Sequence, residues 1–238
     1  MSGKLQLYMW DDRRQHFQQR HGFYCEQVKT RIFSQFENME SEAEAHMEKE
    51  YDRLGSIWSG DDPDAAFTAG EIAQSSAESF YSLLSDLKKQ TILGALAGMY
   101  HQWEKDLRHF IERELSHDIR QAEASKIAWN SKVDGVFDVL TDFGWNCRKQ
   151  SFFSQIEACR LVVNVYKHGK GPALDRLAES FPEYLDGLDK DDIFFSKESL
   201  DHEWLSITSD QFNNIAEAIS TFWKDFPDRL VYTLPENN

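Results

Sequence analysis

From Tyr24 to Leu54 apolar side chains return every third or fourth residue, at Tyr24, Val28, Ile32, Phe36, Met39, Ala43, Met47, Tyr51 and Leu54. That spacing gathers them on one face of an α-helix, whereas a strand would scatter them over both of its faces. A helix over 23–55 would run roughly 45 Å at the usual rise per residue, long enough to act as the spine of a bundle or a dimer. The 238 residues hold only 12 Gly and 5 Pro, too few for the frequent turns of a β-sandwich or barrel. The chain is therefore expected to be all-α.

The same period recurs downstream. Gly55 to Asp64 reads as a loop ending in an N-cap Asp with Pro63 in the first helical position. A helix over 64–90 follows, with Thr68 and Glu71 spaced as a capping box. A second, over 91–117, carries Ile92, Leu96, Met99, Trp103, Leu107, Phe110, Ile111 and Leu115. Gly94 and Gly98 on it are spaced to let another element approach closely. Shorter helices are predicted over 132–143, closed by Gly144, over 151–168, and over 172–180, started by Pro172. The helix over 151–168 would bury Phe152, Ile156, Cys159, Val163 and Tyr166. A last helix over 209–226 opens on a Thr208/Gln211 capping box. Between the last two, an irregular or two-strand insertion near 187–208 is expected, with a short strand in 186–203 pairing Leu205–Ile207. These elements read as one elongated multi-helix bundle over 23–238, preceded by an N-terminal segment over 1–22 and followed by a loose tail after Arg229.

Composition narrows the function. Lys and Arg number 26 against 41 Asp and Glu, a net charge of −15, which opposes a broad electrostatic grip on nucleic acid. The acids are concentrated, however. Residues 37–52 hold seven acids and one Lys, and residues 186–203 hold seven acids and two Lys, while Arg160 to Arg176 holds four basic residues and one acid. Three cysteines, Cys25, Cys147 and Cys159, show no C-x-x-C pairing and read as reduced thiols of a cytoplasmic protein. No run of 18 apolar residues suggests a membrane span.

Chemistry is densest in Cys159–Pro172, CRLVVNVYKHGKGP. Arg160, Asn164 and His168 are spaced four apart, and Lys167 lies seven after Arg160, so all four project along one side of their helix. Arg and Lys hold phosphate oxygens, Asn orients a group by hydrogen bonds, and His exchanges a proton near neutral pH. Those parts suffice to cleave a phosphodiester without a metal. Lys and His in a last helical turn are also favoured by the helix dipole alone.

An all-helical chain whose late helix carries Asn164-x-x-x-His168, followed by Gly169 and a Pro-started helix, resembles the HEPN superfamily of small helical bundles. The run Lys167-His168-Gly169, with the helix ending before Phe181-Pro182 and the last helix ending in Phe222-Trp223, is similar to uncharacterised bacterial members. The resemblance implies a metal-independent endoribonuclease, a toxin or phage-defence effector working as a homodimer. Its site would lie where two protomers meet, and its protein partner would be an antitoxin or a defence-complex subunit. It covers Asn164 and His168 and implies His168 as general acid or base; the basic ridge around them adds Arg160 as the other catalytic residue beside Asn164, and Lys167 and Lys170 as binders of RNA. The family's Arg stands directly before the Asn, where this chain has Val163; Arg160, one turn earlier, takes its place.

Other clusters carry less. His101, Lys105, His109, Arg113 and His117 form a series four apart, but a di-iron bundle needs a second Glu-x-x-His besides Glu114/His117 and the chain has none. No metal ligand and no cofactor is assigned. Arg13, Arg14, His16, Arg20 and His21 would pair with acids of their own chain. The alternative to a nuclease is a non-catalytic helical interaction or regulatory protein, a degenerate HEPN-like scaffold. It would bind a partner protein through the acidic helix bearing Glu40, Glu44 and Glu48.

Overall fold

The computed structural model describes residues 4–57, 63–130, 132–187 and 200–234. Its elements in chain order are strand β1 (Lys4–Tyr8), helices α1 (Asp11–Arg31), α2 (Met39–Ile57), α3 (Pro63–Leu115), α4 (Gln121–Trp129), α5 (Val133–Asp142), α6 (Phe153–His168), α7 (Pro172–Ser180) and α8 (Ser209–Asp225), and strand β2 (Arg229–Thr233). The protein is all-α, as the periodicity predicts. The chain divides into two units, Gln27–Gly94, and Met1–Glu26 with Ala95–Asn238.

The helix expected over 23–55 is broken. α1 starts at Asp11, and a 3₁₀ turn over Phe33–Phe36 separates it from α2. Apolar steps of four, from Tyr24 to Val28, Ile32 and Phe36, rotate the stripe by about 40° each on a straight helix. By Ile32 it has turned out to 39% exposure. Conversely, the helices expected over 64–90 and 91–117 are one helix of 53 residues, α3. Thr68 does not cap it but sits inside, donating its hydroxyl to the Asp64 carbonyl at 2.9 Å. Gly98 lets Tyr24 lie against α3: a Cβ there would stand 2.5 Å from the Tyr24 hydroxyl oxygen, which donates to the Ala95 carbonyl at 2.8 Å.

In the unit Gln27–Gly94, buried Ala43, Ala69, Ala73 and Ala77 supply a seam of small side chains. There His46 of α2 stacks on Phe80 of α3 at 4.6 Å and meets the Ser76 hydroxyl at 3.0 Å. The acids of residues 37–52 stay at the surface apart from half-buried Glu50, a solvated face.

The other unit is built around an aromatic cluster. Phe222 of α8 touches Trp103 of α3, Trp145, Phe152, Trp223 and Phe226, with ring centroids 5.2 to 5.9 Å apart. The α3 stripe from Ile92 to Leu115 is buried as expected. The Thr208/Gln211 capping box opens α8. α4 was not expected: in a polar stretch it buries only Ala124 and Ala128. The three cysteines are free and buried.

The two chain ends close this unit. β1 pairs antiparallel with β2, Leu7 opposite Leu230, so the segment taken for a loose tail is a strand. β1's other edge is blocked: the Gln6 N–H donates to Asp118 at 2.8 Å and the Tyr8 N–H to Glu114 at 3.1 Å, which leaves fewer groups open to strand addition. Of the insertion expected near 187–208, residues 188–199 lie outside the described residues. Around it Leu185 and Leu205 form one antiparallel bridge, and no further strand is formed among the described residues.

The basic cluster of α1 is spent internally. Arg13 pairs with Glu114, and Arg20 with Asp106 at 2.9 Å. Arg14 donates to the Trp223, Lys224 and Phe226 carbonyls and to Asp228, closing the C-terminus of α8, whose last carbonyls have no partner within the helix. Arg14→Ala is expected to lower the unfolding free energy by about 2 kcal/mol, because several charge-assisted bonds are lost together. Arg20→Ala, at a half-exposed pair, should cost under about 1 kcal/mol. Urea denaturation followed by circular dichroism reads both; equal effects would contradict the capping role.

Candidate functional site

α6 is buried on most of its circumference, with Ile156, Ala158, Cys159, Leu161, Val162, Val163 and Val165 all inside. Tyr166, expected inward, is 36% exposed. The polar line left over is Arg160, Asn164 and His168, as their spacing predicts. Gly169 (φ +71°) and Gly171 (φ +149°) then turn the chain in conformations that disfavour other residues. Pro172 starts α7 at once. The turn brings α7 back against α6, so that Pro172, Ala173 and Arg176 join the same surface.

These residues line a cleft of about 510 Å³, within the usual range for small-molecule sites. α3 contributes Tyr100, His101, Glu104 and Arg108, and the start of α5 contributes Lys132, Val133 and Asp134. Sequence reasoning missed these partners. Tyr100, Glu104 and Arg108 follow helical spacing on α3, but nothing in the sequence says that they face α6. Of the five predicted site residues, Arg160, Asn164 and His168 line the cleft. Lys167 and Lys170 are exposed and outside its lining.

The lining holds four cations, Arg108, Lys132, Arg160 and Arg176, against two carboxylates, Glu104 and Asp134. The cations are unequal. The Arg160 Nε and Nη2 donate to the two oxygens of Glu157 at 2.8 and 2.6 Å, and its Nη1 reaches Asp134 at 3.5 Å. Arg176 donates to the same Glu157 at 2.7 Å. Arg108 holds Glu104 through Nε and Nη2 at 2.9 and 2.7 Å and donates to the Ala128 carbonyl at 2.6 Å. Arg160, 11% exposed, is thus a clamped guanidinium with part of its donor capacity left, not the open phosphate binder that its spacing suggested. Bonding to Glu157 raises its pKa further, so its charge is permanent.

Val163, where the HEPN pattern puts Arg, is a 3% exposed core residue, so a cation there would point into the aromatic and aliphatic interior. The series His101, Lys105, His109, Arg113, His117 behaves as a solvated face except at its first member: His101 lines the cleft, while the other four are exposed. Among the described residues no three His, Cys, Asp or Glu side chains gather as a metal site, and no helix is long and apolar enough to cross a membrane.

Several lining groups have nothing to bind. The side chains of Lys132, Asn164 and His168 make no hydrogen bond or ion pair among the described residues. The Tyr100 hydroxyl is buried without a partner.

His101 has its pKa lowered by burial and by the charges of Lys167 and Lys105, against the opposing Glu104. His21 is lowered by burial, which outweighs its bond to the Ala216 carbonyl and the charge of Glu217. A base held low in the folded state is neutral in both states above the ordinary histidine value of about 6.5. Below that value the unfolded chain takes up the proton first, so stability falls until the folded-state values are passed. The unfolding free energy should therefore fall as the pH is lowered through the ordinary histidine value of about 6.5, and the double variant His21→Gln, His101→Gln should flatten that fall in urea titrations. An unchanged slope would contradict the assignment.

No protein-family model, curated protein or solved structure matches this chain.

Proposed function

We propose that the chain is a HEPN-like, metal-independent endoribonuclease, and that the cleft is where the RNA phosphodiester is cut. The observation that carries this reading is the gathering of two imidazoles, an amide and an excess of cations in one cleft of a chain with net charge −15. His101, kept neutral by burial and by Lys167, is the base that takes the proton of a ribose 2′-hydroxyl. The O2′–P bond forms, the P–O5′ bond breaks, and His168 gives its proton to the leaving 5′-oxygen, leaving a 2′,3′-cyclic phosphate and a 5′-hydroxyl. Asn164 orients the phosphate, and Arg160 and Arg176, held in place by Glu157, stabilise its developing charge. No group in this scheme needs a metal ion. As an effector of this kind the protein would be a cytoplasmic homodimer, toxin or phage-defence component, restrained or recruited by a partner protein.

A second reading, a degenerate scaffold that binds a partner protein, is favoured by one feature. In residues 67–87 Phe67, Ile72, Tyr81, Leu83 and Leu87 are exposed, which soluble chains seldom leave unpartnered in such number.

The deciding experiment incubates single-stranded RNA with the purified protein in excess chelator. The wild type should cleave it to cyclic-phosphate ends. His168→Ala should slow cleavage by about 10²-fold or more, the usual contribution of a general acid or base, while melting at the wild-type temperature. Equal activity in the two proteins would remove His168 from the chemistry. No activity in either would leave the scaffold reading.

A further inference from the structure

Away from the cleft, three side chains of metal-ligating type meet where α1 packs on α3. His21 and Cys25 are four apart on α1, hence on one side of it, and face Met99 of α3 within the same unit. The Cys25 Sγ lies 3.7 Å from the His21 Nε2 and 3.6 Å from the Met99 Sδ. Donors held at about 2.0–2.3 Å by a single ion stand roughly 3.5–4.0 Å apart at tetrahedral or trigonal angles, so both spacings already suit one shared metal. The His21 Nε2 also meets the Ala216 carbonyl of α8 at 2.8 Å. None of these residues lines the cleft.

The donor set chooses the metal. A thiolate and a thioether are soft ligands that select Cu(I), and imidazole suits copper as well. Charge points the same way. Cys25 is 7% and Met99 1% exposed, and in such surroundings an uncompensated charge is costly. Cu(I) with one thiolate sums to zero, whereas a divalent ion would leave a positive charge behind. His21 is half-buried beside exposed Gly22, which gives an ion a way in from solvent.

We infer that His21, Cys25 and Met99 bind one Cu(I) ion, with the Ala216 carbonyl facing it as a weak further ligand. On binding, the Cys25 thiol gives its proton to solvent and the Sγ–Cu bond forms. The imidazole proton moves from Nε2 to Nδ1, and Nε2 exchanges its bond to the Ala216 carbonyl for the metal. Copper stays monovalent throughout, so no oxidant or reductant takes part. The site depends on neither the ribonuclease nor the scaffold reading.

The test is anaerobic competition for Cu(I), kept reduced by ascorbate, between the full chain and the coloured chelator bicinchoninate. The wild type should withdraw one equivalent of copper, with a new ultraviolet thiolate-to-copper absorption. Cys25→Ser should lose that equivalent although Cys147 and Cys159 remain. Met99→Leu conserves core volume and should melt near the wild-type temperature, yet hold copper about tenfold more weakly or worse, since even a supporting contact is worth that much to a metal site. His21→Gln should weaken binding likewise. No uptake by the wild type, undiminished uptake by Cys25→Ser or by Met99→Leu, or displacement of the copper by an equal concentration of Zn²⁺ would each overturn the inference.

Discussion

Burial of α6 is the constraint from which the site follows. A helix that packs Ile156, Cys159, Val162, Val163 and Val165 into the interior has only a narrow line on which to carry polar groups, and Arg160, Asn164 and His168 occupy it. The direction of that line is set by the aromatic cluster around Phe222, where α8 meets α3 and Phe152, and by the glycine turn that folds α7 back onto α6. The polar line therefore faces the cleft that α3, α5 and α7 help to enclose.

Electrostatics then decides what the enclosure can hold. Glu157 clamps two guanidinium groups and Glu104 a third, so each carboxylate fixes cations in place without neutralising the whole lining. Rigid cations of this kind need no reorganisation when an anion arrives, which is where preorganised charge gains its advantage. The heavy acidity of the chain lies elsewhere, much of it on the solvated face of α2. Such a surface would turn away long nonspecific RNA while leaving a local cationic cleft open to a selected strand.

Much of this was legible in the sequence, because helical period alone separates inside from outside. The all-α class, the α3 stripe, the Gly169 and Pro172 boundary, the Thr208/Gln211 cap and the shared side of Arg160, Asn164 and His168 could all be read from spacing. What escaped was non-local. β1 and β2 are five residues each and stabilise one another only because the fold brings the chain ends together. The break at Phe33–Phe36 and the merging of two expected helices into α3 depend on where the apolar stripe finds a partner, which local pattern does not encode. The bond from Arg176 on α7 to Glu157 on α6, and the reach of Arg160 to Asp134, join side chains on separate helices that only tertiary packing sets beside each other, whereas the Arg160–Glu157 pair is a local one within α6.

The central claim is that one cleft, and no other histidine-bearing surface, receives a nucleotide phosphate. Histidine C2–H resonances, followed by NMR as uridine 3′-monophosphate is added, address it directly, since His101 and His168 line the cleft while His109 and His117 lie outside it. The account predicts saturable shifts at His101 and His168, with His109 and His117 unmoved. Shifts confined to the outer histidines, or none at any site, would contradict it.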